Sequence, residues 1–181
     1  EYGGQFESAE NASRILAITS IMALLIIFLI LYQEFKELKL AAIILVNLPF
    51  ALIGGVIAIW ISSATLSIPA IIGFITLFGI ATRNGILLIS RYQNMNKKGV
   101  SLYHSVLRGS LDRLNPILMT ALTAALALIP LAIAGDKPGN EIQSPMAVVI
   151  LGGLLSSTFL NIYVVPVIYL LINKKQNHDE E

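Results

Sequence analysis

One arginine in the middle of a long apolar stretch carries the most chemical information in this sequence. Arg83 follows about 15 residues of mostly apolar sequence that starts at Ile68, which is about 22 Å along a helix axis. A charge at such depth in a membrane is costly, and it usually faces a bundle interior and pairs with a carboxylate. Thr76, Gly79 and Ser90 fall near the same helical face. The alternative is that Arg83 snorkels to the polar membrane edge, about 10 Å away.

The acidic residues bear directly on what Arg83 could do. None of the eleven Asp and Glu residues lies inside an apolar stretch. A proton-coupled machine needs an intramembrane group that gains and loses a proton, and arginine stays charged and cannot be that group. If Arg83 has a carboxylate partner in the membrane, the sequence therefore predicts that the partner is on polypeptide outside these 181 residues.

Hydroxyl groups and prolines share one face of the fourth apolar stretch, namely Pro116, Thr120, Thr123, Ala127 and Pro130. Threonines on a helix interrupted by prolines can hydrogen-bond a neighbouring helix or line a hydrated path. They can equally bond a carbonyl of their own helix near a kink. Both interpretations remain open for Thr120.

Small and amide side chains predict close helix packing elsewhere. Gly153, Ser157 and Asn161 recur at steps of four, which is typical of a seam where two membrane helices approach closely. Gly79 is interpreted in the same way. Asn47, two residues before Pro49, is expected to have a structural role.

Composition excludes several classes of protein. The sequence is 56% hydrophobic and 13% charged, with a mean hydropathy of +0.78 and no cysteine, which argues against a soluble enzyme. Metal-ligand spacing and a phosphate-binding loop are both absent from the sequence, and the four methionines form no cluster. We therefore predict no catalytic, cofactor-binding or metal-binding residues, and no nucleic-acid partner.

Five apolar stretches are long enough to cross a bilayer, so the predicted fold is an all-α membrane protein. The segment 91–113 carries apolar residues on one face and polar residues on another, and it predicts an additional amphipathic helix on the cytoplasmic membrane surface. The predicted spans are about 15–32, 40–61, 68–90, 114–134 and 146–172, between a leading segment 1–13 and a polar tail 173–181.

The basic residues predict the orientation in the membrane. Cytoplasmic loops carry an excess of lysine and arginine. One set of predicted connections contains nine of the twelve basic residues, and the other contains Arg14 and Lys137. The tail should then be cytoplasmic. The nine are Lys36, Lys39, Arg91, Lys97, Lys98, Arg108, Arg113, Lys174 and Lys175.

Three segments resemble resistance-nodulation-division (RND) efflux pumps. The segment 79–88 (GIATRNGILL) resembles their tenth transmembrane helix, 113–120 (RLNPILMT) the start of the eleventh, and 165–169 (VPVIY) the end of the twelfth. The resemblance implies helices eight to twelve of a pump, with 1–13 as the end of a periplasmic porter region. The segments 139–147 (GNEIQSPMA) and 3–8 (GGQFES) look most like the heavy-metal efflux branch.

The resemblance implies a role for several residues. In the family, a basic residue of helix ten faces two aspartates of helix four. Arg83 matches that basic position, Asn84 matches the residue after it, and Thr120 lies near a threonine of helix eleven implicated in the proton relay. Asn115 stands where the multidrug branch often has arginine.

The implied protein is a secondary active transporter, a proton antiporter of the bacterial inner membrane, and not an enzyme. Its expected partners are the missing N-terminal half of the same pump with its relay aspartates, two further copies in a homotrimer, a periplasmic adaptor, an outer-membrane channel and the lipid bilayer. The alternatives are an RND-like subunit for protein or lipid export, and a non-transporting membrane scaffold.

Overall fold

The computed structural model describes residues 3–62, 67–135, 137, 139, 140 and 142–178, and it is helical over most of this range. The start of the leading segment, parts of the connections after the second and fourth predicted spans, and the end of the predicted tail lie outside the described residues. The helices are α1 (Gly3–Phe35), α2 (Leu38–Ile61), α3 (Ile68–Lys97), α4 (Leu102–Ile133) and α5 (Gln143–His178).

The all-α membrane fold is confirmed. Within the described residues, five helices are long and apolar enough to cross a membrane, and each matches one of the predicted spans, the fourth ending one residue early at Ile133. The spans could be predicted because every membrane-crossing helix must itself be apolar over about 20 residues. The division into a porter remnant, a bundle and a tail stays a prediction, because α1 already begins at Gly3 and α5 continues to His178.

The separate surface helix predicted within 91–113 is wrong. Its first part belongs to α3, which continues to Lys97, and the rest begins at Leu102 and runs without a break into the fourth span. The break occurs instead at Gly99, whose φ of 82° is left-handed. The Gly99 N–H donates to the carbonyl of Asn96 and the Val100 N–H to that of Met95. This is a glycine-terminated helix end, in which N–H groups beyond the helix pair with two of its last carbonyls, and no comparable stop occurs between Leu102 and Pro116.

Pro116 does not interrupt α4, although it lies inside the helix. A proline in a membrane helix is tolerated when neighbouring groups satisfy the freed backbone carbonyl. The carbonyl freed by Pro116 is that of Asp112, four residues earlier, whereas the Thr120 hydroxyl donates to the carbonyl of Pro116 itself at 2.9 Å. The hydroxyl thus adds a side-chain hydrogen bond to the backbone at the proline.

The five helices are not equivalent in the bundle. α5 packs against α2, α3 and α4, whereas α1 contacts α2 and α3. Half of the α3 and α5 spans is buried, compared with 6% of the α1 and α4 spans. The core is therefore formed by α2, α3 and α5, with α1 and α4 at its edges.

Glycines allow α2 and α5 to approach closely. A Cβ atom added to Gly54 would lie 2.5 Å from the Ser156 Cβ and 2.6 Å from the Gly152 carbonyl oxygen. A Cβ added to Gly152 would in turn lie 2.6 Å from the Gly54 carbonyl oxygen. The two backbones therefore touch, as in other membrane helix pairs with small residues at the contact.

Tyr92 joins three helices at the end of the bundle where α3 and α5 finish, which we call the basic end. Its side chain is fully buried, its ring lies 5.0 Å from that of Tyr169 in α5, and its hydroxyl lies 2.5 Å from the Ser110 Oγ of α4. Next to it, Arg91 Nε donates to Asp112 Oδ2 at 3.1 Å. These contacts hold α3 and α4 together as an antiparallel pair, and the tyrosine contact packs this pair against α5.

Candidate functional site

Arg83 lies midway along α3, and its side chain is exposed in this chain. Because α3 has 30 residues, Arg83 is about 22 Å from either end of the helix. It lines a groove of about 300 Å³ between α1 and α3. We call this the Arg83 groove, and its lining includes Ile27, Ile30, Leu31, Gly79, Thr82 and Arg83.

The Arg83 groove offers the cation little compensation. Its α1 wall consists of the isoleucine and leucine side chains of Ile27, Ile30 and Leu31. In the described part of the chain, the ion pair within 4.0 Å joins Arg91 and Asp112 at the basic end, and no carboxylate lies that close to Arg83. An arginine at this depth without a negative partner is costly.

Gly79 lies on the open side of the Arg83 groove. Among the described residues, no atom lies within 4 Å of a Cβ placed on Gly79, apart from its own helix and chain neighbours. The predicted packing role of Gly79 therefore has no contact within this part of the molecule and stays a prediction. A glycine facing an open groove leaves room for another helix to come close.

Asn84 points away from the Arg83 groove. Successive residues of a helix are rotated by about 100°, so Asn84 leaves the exposed face on which Arg83 lies. The Asn84 side chain is 6% exposed, and its Nδ2 has no hydrogen-bond partner among the described residues. Arg83 and Asn84, which the resemblance to RND pumps assigns together as coupling residues, therefore lie in different surroundings.

Thr120 lies on an exposed part of α4, and its hydroxyl is engaged by its own helix at Pro116. The contacts of Tyr92 with Ser110 and of Arg91 with Asp112 set the antiparallel register of α3 and α4. Continuing this register brings Thr120 to the depth of Arg83. The two residues therefore lie at one level, and the Thr120 hydroxyl, which donates to Pro116, can still accept a hydrogen bond.

The predicted seam on α5 is buried. Gly153 lies against Leu77 of α3, so that an added Cβ would clash with the leucine side chain. Ser157 and Asn161 are 0% and 1% exposed. Asn161 Oδ1 accepts a hydrogen bond of 2.9 Å from Asn47 Nδ2, which is the strongest polar link between α5 and α2.

Sequence reasoning missed two features of this region. Thr82 lines the Arg83 groove next to the arginine, and no pattern in the sequence singled it out. Asn47 was interpreted as a structural residue, but its partner Asn161 is 114 positions away. The pairing has no local signal, although two asparagines in apolar spans each require a partner.

Metal-ligand side chains do not gather in this part of the protein. Within the described residues, no group of three or more His, Asp or Glu side chains comes close enough to hold a metal ion. Within the described residues, the site is a cation beside a groove, on a helix long and apolar enough to cross a membrane.

These features define a multi-pass membrane helix bundle with an unpaired cation in its described part. The model of the AcrB/AcrD/AcrF family matches residues 1–173. The chain belongs to this family of transporters, so the resemblance to RND pumps is confirmed and a classical enzyme is excluded.

Several relatives are close in sequence. The cobalt-zinc-cadmium resistance protein CzcA of Cupriavidus metallidurans is 41% identical over 180 residues, which cover 99% of this chain and 17% of CzcA. Protein HelA of Legionella pneumophila is 42% identical over 97% of this chain and 17% of HelA. A crystal structure of a heavy metal efflux pump superposes with a TM-score of 0.82 at 39% identity, covering 94% of this chain and 16% of the pump. The chain thus spans 16–17% of the length of these relatives.

Proposed function

We propose that this chain is the C-terminal membrane region of a proton-driven efflux pump that exports metal cations. The observation that carries the proposal is the exposed Arg83 in a groove at mid-helix, with no carboxylate within 4.0 Å in the described part of the chain. The names of similar proteins support a metal cargo, since they include a cobalt-zinc-cadmium resistance protein and a heavy metal efflux pump.

The mechanism follows from the chemistry of arginine. Arginine side chains do not release their proton in proteins, so the group that titrates must be a carboxylate brought to the Arg83 groove by another part of the pump. When that carboxylate is ionised, it holds Arg83 in an ion pair. Protonation cancels its charge and releases Arg83, and the helices repack. The shift then changes the affinity of the periplasmic region for cargo.

Two further residues support Arg83 in this proposal. Thr120 lies at the depth of Arg83 on the neighbouring α4, and its hydroxyl can exchange its bond to Pro116 for a bond to the relay. Asn84 links the same turn of α3 to the buried core. Arg83 is the residue in contact with the relay, and Thr120 and Asn84 position or couple it.

The proposed setting follows the distribution of charge. The basic end faces the cytoplasm, as does the C-terminus, and the membrane is the bacterial inner membrane. The proposed assembly is a homotrimer that works with a periplasmic adaptor and an outer-membrane channel. The rest of the same pump supplies the relay carboxylates.

The test uses the full-length pump reconstituted in liposomes with an imposed proton gradient. We expect Arg83→Ala to reduce proton-dependent Zn²⁺ transport to background without changing the amount of inserted protein. Arg83→Lys should keep part of the activity, because a lysine retains the charge but loses the planar fork of the guanidinium. Arg108→Ala is the matched control, since Arg108 is exposed and lies away from the groove.

Normal transport by a well-expressed Arg83→Ala pump would contradict the mechanism. The alternatives predict other results. A scaffold would show neither a proton flux nor transport in the unmodified protein. A related subunit for protein or lipid export would show a proton flux without transport of a metal cation.

A further inference from the structure

Polar side chains are buried inside the three-helix core of α2, α3 and α5. Each of them is at most 8% exposed. We call this set the polar layer. Its members are Asn47 on α2, Thr82 and Asn84 on α3, and Ser157, Thr158 and Asn161 on α5.

The packing contacts put the asparagines of the polar layer at one depth. α3 and α5 run parallel, because Leu77 packs on Gly153 and the two buried tyrosines of the basic end pack on each other. In each contact, the α5 residue lies 76 or 77 positions after its α3 partner in the sequence. Asn161 follows Asn84 by the same distance, so the two asparagines lie at the same level. Asn47 is joined to Asn161 by a direct hydrogen bond. Three helices thus each place an amide in the same layer.

Two of these amides have atoms without a partner. Asn47 Oδ1 and Asn84 Nδ2 have no hydrogen bond to any described residue. The first is an acceptor and the second is a donor, so their requirements are complementary. Buried polar groups are nearly always paired with protein or with ordered water, and in a membrane the surrounding lipid cannot replace that partner.

The missing partner is not another helix. Asn47 is 3% exposed and Asn84 is 6% exposed, so a helix could reach them only by separating α2, α3 and α5. Buried hydrocarbon side chains such as Leu48 and Ala81 flank them on the same helices. Thr82 differs, because it lines the Arg83 groove and can be reached from outside.

We propose that the polar layer is a water-binding site, in which an ordered water molecule accepts a hydrogen bond from Asn84 Nδ2 and donates one to Asn47 Oδ1. Because water both donates and accepts hydrogen bonds, it can also bond to Asn47 if the Oδ1 and Nδ2 positions of that amide are exchanged. Buried waters typically make about three hydrogen bonds to otherwise unpaired groups, and Thr158 Oγ1, less than one turn before Asn161 on α5, also lacks a partner. This inference does not depend on the proposed transport function.

The direct test is a structure of the full-length protein that contains this chain, determined at a resolution that shows ordered water. Density for a water molecule within about 3 Å of both Asn47 Oδ1 and Asn84 Nδ2 is the expected result. Two observations overturn the proposal. One is a layer without such density in a map that shows other internal waters, and the other is a direct bond between Asn47 and Asn84.

A variant gives an independent answer through the sign of its effect. If water bridges the layer, Asn84→Leu removes a hydrogen-bonded group, and the midpoint temperature of thermal unfolding falls. If the layer is dry, the same change removes an unpaired polar group, and the midpoint stays or rises. Asn94→Leu is the matched control, because Asn94 lies on the same helix and is exposed. If Asn84→Leu does not fold, the structure of the unmodified protein decides.

Discussion

Two neighbouring residues of α3 lie in different surroundings. Arg83 is exposed in a groove, whereas Asn84 is buried in the polar layer. The rotation of about 100° per residue separates them. Arg83 and Asn84 therefore belong to one turn of helix, so any displacement of that turn would move both side chains.

The hydrogen bond between Asn47 and Asn161 leads to a prediction at this scale. Asn161→Leu leaves the Asn47 Nδ2 donor buried without its acceptor, so the free energy of unfolding should fall by about 1–3 kcal/mol. The measurement is denaturant or thermal unfolding of the purified full-length protein, with the exposed Asn94→Leu as control.

A double variant checks that the two amides act as a pair. Asn47→Leu combined with Asn161→Leu should cost less than the sum of the two single changes, because no unpaired donor or acceptor of the pair remains. Additive losses would show that the amides are not coupled.

The helices depend on glycine as much as on hydrophobicity. α2 and α5 touch at Gly54 and Gly152, and α3 meets α5 at Gly153. Without an advantage of apolar contact over lipid, membrane helices associate through close packing and interhelical hydrogen bonds. The bundle uses both, since the glycines bring the backbones together and the polar layer links them.

We predict that Gly54→Ala destabilises the contact of α2 with α5. The added methyl would lie 2.6 Å from the Gly152 carbonyl oxygen, and a backbone atom cannot turn aside as a side chain can. Overpacking of this kind costs about 1–3 kcal/mol, which thermal unfolding of the purified protein would detect. Val56→Ala serves as control, because Val56 is 52% exposed on the same helix. Equal losses from the two changes would rule out a specific contact at Gly54.

The position of the spans could be predicted from the sequence, but their ends could not. Hydropathy is a property of each stretch by itself, so five spans were found. The end of a helix depends on local backbone chemistry. Gly99 stops α3, whereas Pro116 is accommodated within α4. The break predicted between segment 91–113 and the fourth span is therefore absent, and α4 runs through it.

Pairings between helices that are far apart in the chain could not be predicted from the sequence either. The exposed Arg83 and the buried Ser157 and Asn161 fall on faces that periodicity could suggest. The partner of Asn161 could not be found in this way, because Asn47 is on another helix far away in the chain. Which helix meets which is decided by the packing of the whole bundle.

At the scale of the whole molecule, the orientation in the membrane can be tested with two matched lysines. Lys98 lies at the basic end and Lys137 at the opposite end, and both are exposed. The chain has no cysteine, so Lys98→Cys and Lys137→Cys each introduce a single thiol into it. In a full-length protein free of other cysteines, a membrane-impermeant maleimide should label position 137 in cells with a permeabilised outer membrane.

The label should reach position 98 only after the inner membrane is opened. The parent protein without cysteine controls for background. Labelling of position 98 first would reverse the orientation that the basic residues predict.

The length of α3 and α4 has a consequence for movement. With 30 and 32 residues, these helices are about 45 and 48 Å long, whereas the hydrocarbon core of a bilayer is about 30 Å thick. Roughly a third of each helix therefore projects beyond the lipid tails as a stiff two-helix arm. Arg83 lies on the same helix as this projecting part. If α3 tilts at Arg83, the displacement of the helix is therefore larger at its end near Gly99. A spectroscopic reporter attached there would sense the state of Arg83 from the water phase.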